Sequence, residues 1–175
     1  DRALNNEMSL DVMRNCSCPV LGVVPGMPPL PMRVLAATDF SDISFRAMRM
    51  AREVAGHGAL FMLAYAPPIA ALLDEEGERL IHDLGVRGAF AKAIRNLGDD
   101  GITFDHVVLE HDIHETTAGT LLAYAEQSKC DLVTAGSARL GRIERWMIGS
   151  VSTELIRDGS RSVLIVPPER TSQRS

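Results

Sequence analysis

Arg33-Val34-Leu35-Ala36-Ala37-Thr38-Asp39-Phe40-Ser41-Asp42 is the stretch on which the reading of this chain turns. Residues 33–38 are apolar after the first arginine and read as a strand buried on both faces. The next four residues are mostly polar and break that run. Ser41 or Asp42 can cap a helix by accepting its free backbone N–H groups. Residues 43–55 then place Phe45, Met48, Ala51 and Val54 or Ala55 at helical spacing. A buried strand, a short polar turn and an amphipathic helix are the opening of a β-α unit.

The same alternation continues outward. Gly56-His57-Gly58 stops the helix. Residues 60–65 form a second, wholly apolar strand, ended by Pro67-Pro68. Residues 69–98 are helical, with Leu72, Leu80, Leu84, Phe90, Ala93, Ile94 and Leu97 as core candidates. Gly77, Gly85 and Gly88 each cost about 1 kcal/mol relative to alanine in a helix, which predicts a break there. A third strand runs from Ile102 to Leu109, and a helix follows from Thr117 to Ser128 with Leu121, Leu122 and Ala125 facing inward. Residues 132–135 are the fourth strand, 136–149 a glycine-containing segment, 150–158 a helix and 163–166 the fifth strand, closed by Pro167-Pro168. The polar tail 169–175 is expected to fray.

Five buried strands alternating with helices require an α/β protein: a doubly wound, open, parallel sheet with helices on both faces. Ligands of such folds bind outside the carboxyl ends of the strands, where the strand order reverses. A chain of 175 residues holds one such core and no more. Its composition, 46% hydrophobic and 23% charged, is that of a globular domain and excludes disorder as the dominant state. A net charge of −5 argues against broad binding to nucleic acid or anionic membranes. The apolar runs are too short to span a bilayer as helices. Three cysteines are no disulfide framework, and the N-terminus lacks the apolar core of a secretory signal; both predict a cytoplasmic setting. Cys16-Ser17-Cys18 is too tight for a relaxed disulfide and lacks a second pair for zinc, and Cys130 reads as a small buried hydrophobe.

About thirty residues precede the first β-α unit, and they repeat the end of the chain. Residues 9–25 align without gaps on residues 152–168. Ser9/Ser152, Arg14/Arg157, Ser17/Ser160, Val20/Val163, Leu21/Leu164, Val23/Val166 and Pro25/Pro168 are identical. Asp11/Glu154, Val12/Leu155 and Met13/Ile156 are close substitutions. Helix, turn, strand and terminal proline all agree, so residues 1–25 read as the closing helix and strand of a preceding, related domain. Residues 26–31 are then a proline-stiffened linker, 32–168 the complete domain and 169–175 a flexible tail.

Two positions could bind a ligand. Segment 136–152 leaves a buried strand and enters a helix at Gly149-Ser150, whose free N–H groups and dipole suit an anion. Ser150 and Ser152 add hydroxyls, and Arg139, Arg142 and Arg145 add positive charge. Asp39, at the end of the first strand, can accept hydrogen bonds from an amino or hydroxyl group. His111-Asp112-Ile113-His114 reads as a solvated loop, and Trp146 with Met147 as a packing anchor. No nucleophile elbow, Walker lysine or assembled catalytic constellation appears, and no metal site is expected.

Gly136-Ser137-x-x-Leu140-Gly141-Arg142 followed by Gly149-Ser150-Val151-Ser152, with residues 34–41 upstream, resembles the universal stress protein family. The resemblance covers residues 32–168 and implies an adenine nucleotide alpha hydrolase-like sheet in the order 3-2-1-4-5, with residues 1–25 as a helix-strand remnant of a tandem copy. It implies ATP, or AMP or ADP, possibly with Mg, held at the carboxyl ends of strands one and four. The implied binding residues are Ala37, Thr38, Asp39, Tyr65, Ala135, Gly136, Ala138, Arg139, Gly149, Ser150, Val151 and Ser152, with Gly141 and Arg142 supporting the phosphates. Arg139 stands where the family pattern has its second glycine. The expected function is a regulatory stress-response protein that binds an adenine nucleotide and pairs with a second such domain or a second copy through the last strand. That pairing implies Val20 to Val24 antiparallel beside Val163 to Val166 of this chain or of a symmetry mate, masking an edge that would otherwise invite aggregation. The alternatives are an interaction module whose phosphate site Arg139 closes, or a slow ATPase or phosphotransferase.

Overall fold

The computed structural model describes residues 2–15, 18–67, 76–98, 101–110, 114–137 and 149–169. In chain order the elements are α1 (Arg2–Asn15), β1 (Val20–Gly22), β2 (Arg33–Ala37), α2 (Asp42–Val54), β3 (Leu60–Tyr65), α3 (Glu76–Leu97), β4 (Thr103–Val108), α4 (Thr117–Gln127), β5 (Leu132–Gly136), α5 (Ser150–Asp158) and β6 (Ser162–Val166). The six strands form one sheet in the order β1-β6-β5-β2-β3-β4. Strands β2 to β6 are mutually parallel, and in their own numbering they follow the expected 3-2-1-4-5 order. β1 joins β6 antiparallel, with Val20 opposite Ile165, Leu21 opposite Leu164 and Gly22 opposite Val163. The repeat segment therefore lies where pairing through last strands, as the family resemblance implies, would put it.

Alternation along the strands sends side chains to two cores. On one face Leu35, Met62, Ala64, Val133 and Ile165 pack with Leu10 of α1, Leu121 of α4 and Leu155 of α5. On the other, Val34, Ala36, Phe61, Leu63 and Leu164 pack with α2 and α3. α2 buries Ser44, Ala47, Met48 and Ala51, a stripe of mostly small side chains that lets the helix sit close to the sheet. Buried Thr134 spans that gap, its hydroxyl within 3.4 Å of the Ala47 carbonyl and 3.2 Å of the Leu164 carbonyl.

Five expectations are corrected. α3 runs unbroken through Gly77, Gly85 and Gly88. Val86, Phe90, Ala93 and Leu97 bury one face of it, and that burial outweighs the glycine cost. Leu84 is exposed, because it lies nearly half a helical turn from that stripe; residues 68–75 are outside the described part of the chain. β4 is not buried on both faces: Thr103, Asp105, His106 and Val108 are exposed because it is the far edge of the sheet. α2 ends at Val54 with Ala55 as its C-cap, ahead of the glycines at 56 and 58. Finally, Cys18 is disulfide-bonded, so the expectation that none of the cysteines is bridged fails there. Cys130 is buried and free, and burial pushes its thiol up, as befits a small hydrophobe.

Candidate functional site

The strand order reverses between β2 and β5, whose neighbours diverge to opposite sides of the sheet. The turn after β2 is built by short hydrogen bonds. Thr38 N–H donates to the Ala64 carbonyl at 2.8 Å and keeps the chain on the sheet. The buried Thr38 hydroxyl accepts from Phe40 N–H at 2.9 Å and lies 3.2 Å from the Ser44 hydroxyl. Phe40 takes a φ of 61°, a left-handed conformation that costs energy for a bulky side chain. Its ring is anchored 5.0 Å from that of Tyr65 and 5.1 Å from that of Phe90. Of the two capping candidates, Ser41 is the N-cap of α2, accepting from Ser44 N–H.

Asp39 is oriented by that cap. Its Oδ1 accepts from the Ser41 hydroxyl at 2.5 Å and the Ser41 N–H at 3.0 Å. Burial, the largest influence, pushes its pKa up; the hydrogen bonds from Ser41 and Ser44 together outweigh it and hold the carboxyl below its ordinary value of 3.8. Asp39 is thus a fixed carboxylate at neutral pH.

The end of β5 faces this turn across a close contact. A Cβ on Gly136 would lie 2.6 Å from Ile43 Cγ2 and 2.9 Å from the Ile43 carbonyl carbon. The glycine is required by the approach of α2 to β5. Gly149 is different: it has ordinary φ of −61° as the N-cap of α5, makes no side-chain cap bond, and a Cβ there would meet nothing within 4 Å. Its carbonyl takes Thr153 N–H at 3.0 Å, which leaves the first-turn amides of Ser150, Val151 and Ser152 without intrahelical acceptors. Buried Ser152 points its hydroxyl at the Gly136 carbonyl, 3.5 Å away, tying the start of α5 to the end of β5.

These elements enclose a cavity of about 280 Å³. Ala37, Thr38 and Asp39 line it from β2, and Ala135 and Gly136 from β5. Gly149, Ser150, Val151 and Ser152 close it from α5. Nine of the expected site residues thus share one hollow. Tyr65 does not line it: its ring lies in the opposite core, and its carbonyl takes Leu109 N–H at 2.8 Å. Burial, then the charge of Asp39, pushes the Tyr65 hydroxyl above 10.0. Ala138, Arg139, Gly141 and Arg142 lie outside the described residues, as do Cys16, His111 to Ile113 and Trp146.

Sequence reasoning missed Ser41, Ile43, Ser44, Ala64, Ala66, Thr117 and Leu121, which also line the cavity. Ala64 and Ala66 flank Tyr65, and the period of two along β3 was signal enough to place them on the face opposite its ring. Thr117 and Leu121 come from α4, which only the tertiary fold brings to the cavity. Chemically the hollow offers a carboxylate acceptor at one end, helix amides without intrahelical acceptors at the other, and small apolar side chains between. Among the described residues no cluster of three or more His, Cys, Asp or Glu side chains could hold a metal ion.

A doubly wound α/β domain with a ligand-sized hollow at its switch point is the class that this geometry defines. The sequence pattern of the universal stress protein family matches residues 32–167, and the chain belongs to that family. It is similar to the universal stress protein MJ0531 of Methanocaldococcus jannaschii, 24% identical over 141 residues, 77% of this chain and 81% of that one. It resembles the solved structure of a universal stress protein in complex with cAMP, with 28% identity, a TM-score of 0.50, and coverage of 78% of this chain and 97% of that one. It also resembles a universal stress protein from Archaeoglobus fulgidus, with 24% identity and a TM-score of 0.60; that alignment covers 91% of this chain and 54% of the longer one. No described helix is long and apolar enough to cross a membrane.

Proposed function

We propose that this chain is a cytoplasmic regulatory protein that binds an adenine nucleotide between the ends of β2 and β5. The observation that carries the reading is the pairing of the fixed Asp39 carboxylate with the uncapped start of α5 across one hollow. Asp39 Oδ2 would accept from the ribose hydroxyls. The alanines at 37, 64, 66 and 135 leave room for a flat, apolar ring. The amides of Ser150 to Ser152 would hold phosphate oxygens, with Arg139, Arg142 and Gly141 as further phosphate contacts and Mg as a companion of the longer phosphate chain.

Nucleotide binding would favour the bound conformation by mass action, and the protein would work by presenting that conformation to a partner. The solved relative with cAMP supports a second reading, in which a cyclic nucleotide is the ligand. Titration calorimetry with ATP, ADP, AMP and cAMP, with and without Mg, tests both. Saturable heat with ATP, lost in Gly149→Val, supports the first reading. Heat with cAMP alone selects the second. No heat with any of the four at millimolar concentration overturns nucleotide binding and leaves the interaction module. Steady phosphate release from ATP would make the protein an enzyme.

A further inference from the structure

The seam between β1 and β6 holds more information than its backbone pairing. By the internal repeat, position i in residues 9–25 corresponds to i + 143 in residues 152–168. Leu21 corresponds to Leu164, and these two residues face each other at the centre of the seam. The register is therefore the one that two identical last strands would adopt about a two-fold axis. The side chains at its two ends are not two-fold related. At one end Val24 N–H donates to the hydroxyl of fully buried Ser162 at 3.1 Å. The corresponding positions at the other end are Pro167, which has no N–H, and Pro19, which has no hydroxyl. A donor meets an acceptor at one end, and at the other neither is present.

We propose that the outer edge of β6 is a selective docking edge: its partner is β1, the closing strand of a preceding copy of this fold, and it discriminates against a second β6. Two β6 strands on the same register would set Pro167 against Ser162 twice. Both buried hydroxyls would then lose their N–H donor, and an unpaired buried polar group costs more than a formed hydrogen bond contributes. The exposure pattern marks β1 as the end of such a copy. Val12, Leu21 and Val23 are 45%, 41% and 63% exposed, whereas their counterparts Leu155, Leu164 and Val166 are 0%, 3% and 0% exposed. The residues that the rest of a domain would cover are the ones left open here.

Hydrogen exchange on the full chain, read against the amides of β2 as a folding control, tests the seam. Ser162→Ala should speed exchange of the β1 amides roughly five- to tenfold. Val24→Pro should speed it much further without raising self-association in sedimentation. Val24→Pro combined with Pro167→Val, which returns an N–H to β6, should self-associate at least about tenfold more tightly than Val24→Pro alone. Unchanged β1 exchange in Ser162→Ala overturns the proposal. So does Val24→Pro self-associating as tightly as the double variant. If Val24→Pro loses β2 protection, the Ser162→Ala result decides alone.

Discussion

Replacing either of two glycines in one motif should separate packing from binding. Gly136→Ala puts a Cβ 2.6 Å from Ile43 Cγ2, 2.9 Å from the Ile43 carbonyl carbon and 3.0 Å from its oxygen. The side-chain methyl can rotate away, but the carbonyl is backbone at the first turn of α2, whose cap and buried stripe hold it in place. Relief must come from shifting α2 or β5 by several tenths of an ångström, against Thr134 and the Leu132 to Thr134 ladder. Overpacking of that kind costs about 1–3 kcal/mol. Gly149→Ala meets nothing within 4 Å at an ordinary φ, so its cost is the N-cap preference alone, about 1 kcal/mol or less. Urea denaturation of both variants, fitted with a common slope, reads the difference directly. A Gly136→Ala loss below that of Gly149→Ala would refute the packing account and return Gly136 to a purely ligand-facing role.

Three further outcomes follow from the same turn. Ser41→Ala should cost about 1 kcal/mol by chemical denaturation, because it removes the α2 cap; it also strips a hydroxyl donor from Asp39. Because the Asp39 pKa is lowered in the fold, its stabilising contribution is complete above the ordinary value of 3.8 and is lost as pH falls through the depressed one. The stability gap between wild type and Asp39→Asn should thus be full at about pH 6 and shrink on acidification below 3.8; a gap that grows in acid would reverse the assignment. Ultraviolet titration of Tyr65, isolated by difference against Tyr65→Phe, should show a midpoint above 10.0 that Asp39→Asn lowers only in part, since burial is the larger cause. An unchanged midpoint in Asp39→Asn would show that the two groups do not sense each other.

The elements were legible because their signals are local. Each of β2, β3, β5 and β6 is an apolar run bounded by a polar or proline-containing turn, and α2 carries its stripe at helical spacing. The places where the reading slipped are those where a neighbour in space outweighs a local preference. Three glycines did not break α3, because Val86, Phe90, Ala93 and Leu97 bury against the sheet. β4 has the length and β-rich composition of its siblings but no fully buried residue, because position in the sheet is not a property of the strand. Nine of the sixteen wall residues were legible, from the ends of β2 and β5 and the start of α5; the α4 residues were not, since nothing near Thr117 in the chain announces which strand end it covers.

By itself the sequence determined the alternation of strands and helices, the repeat of residues 152–168 in residues 9–25, and, through its family pattern, the five-strand order and β1 beside β6. These depend on side-chain periodicity and on identity between segments, both of which survive without coordinates. Tertiary structure alone decided that Gly136 serves the approach of α2, that Gly149 opens on a hollow, that the Tyr65 ring turns away from it, and that Val24 meets Ser162. Each of these is a distance between residues far apart in the chain, and only the packed fold sets such distances.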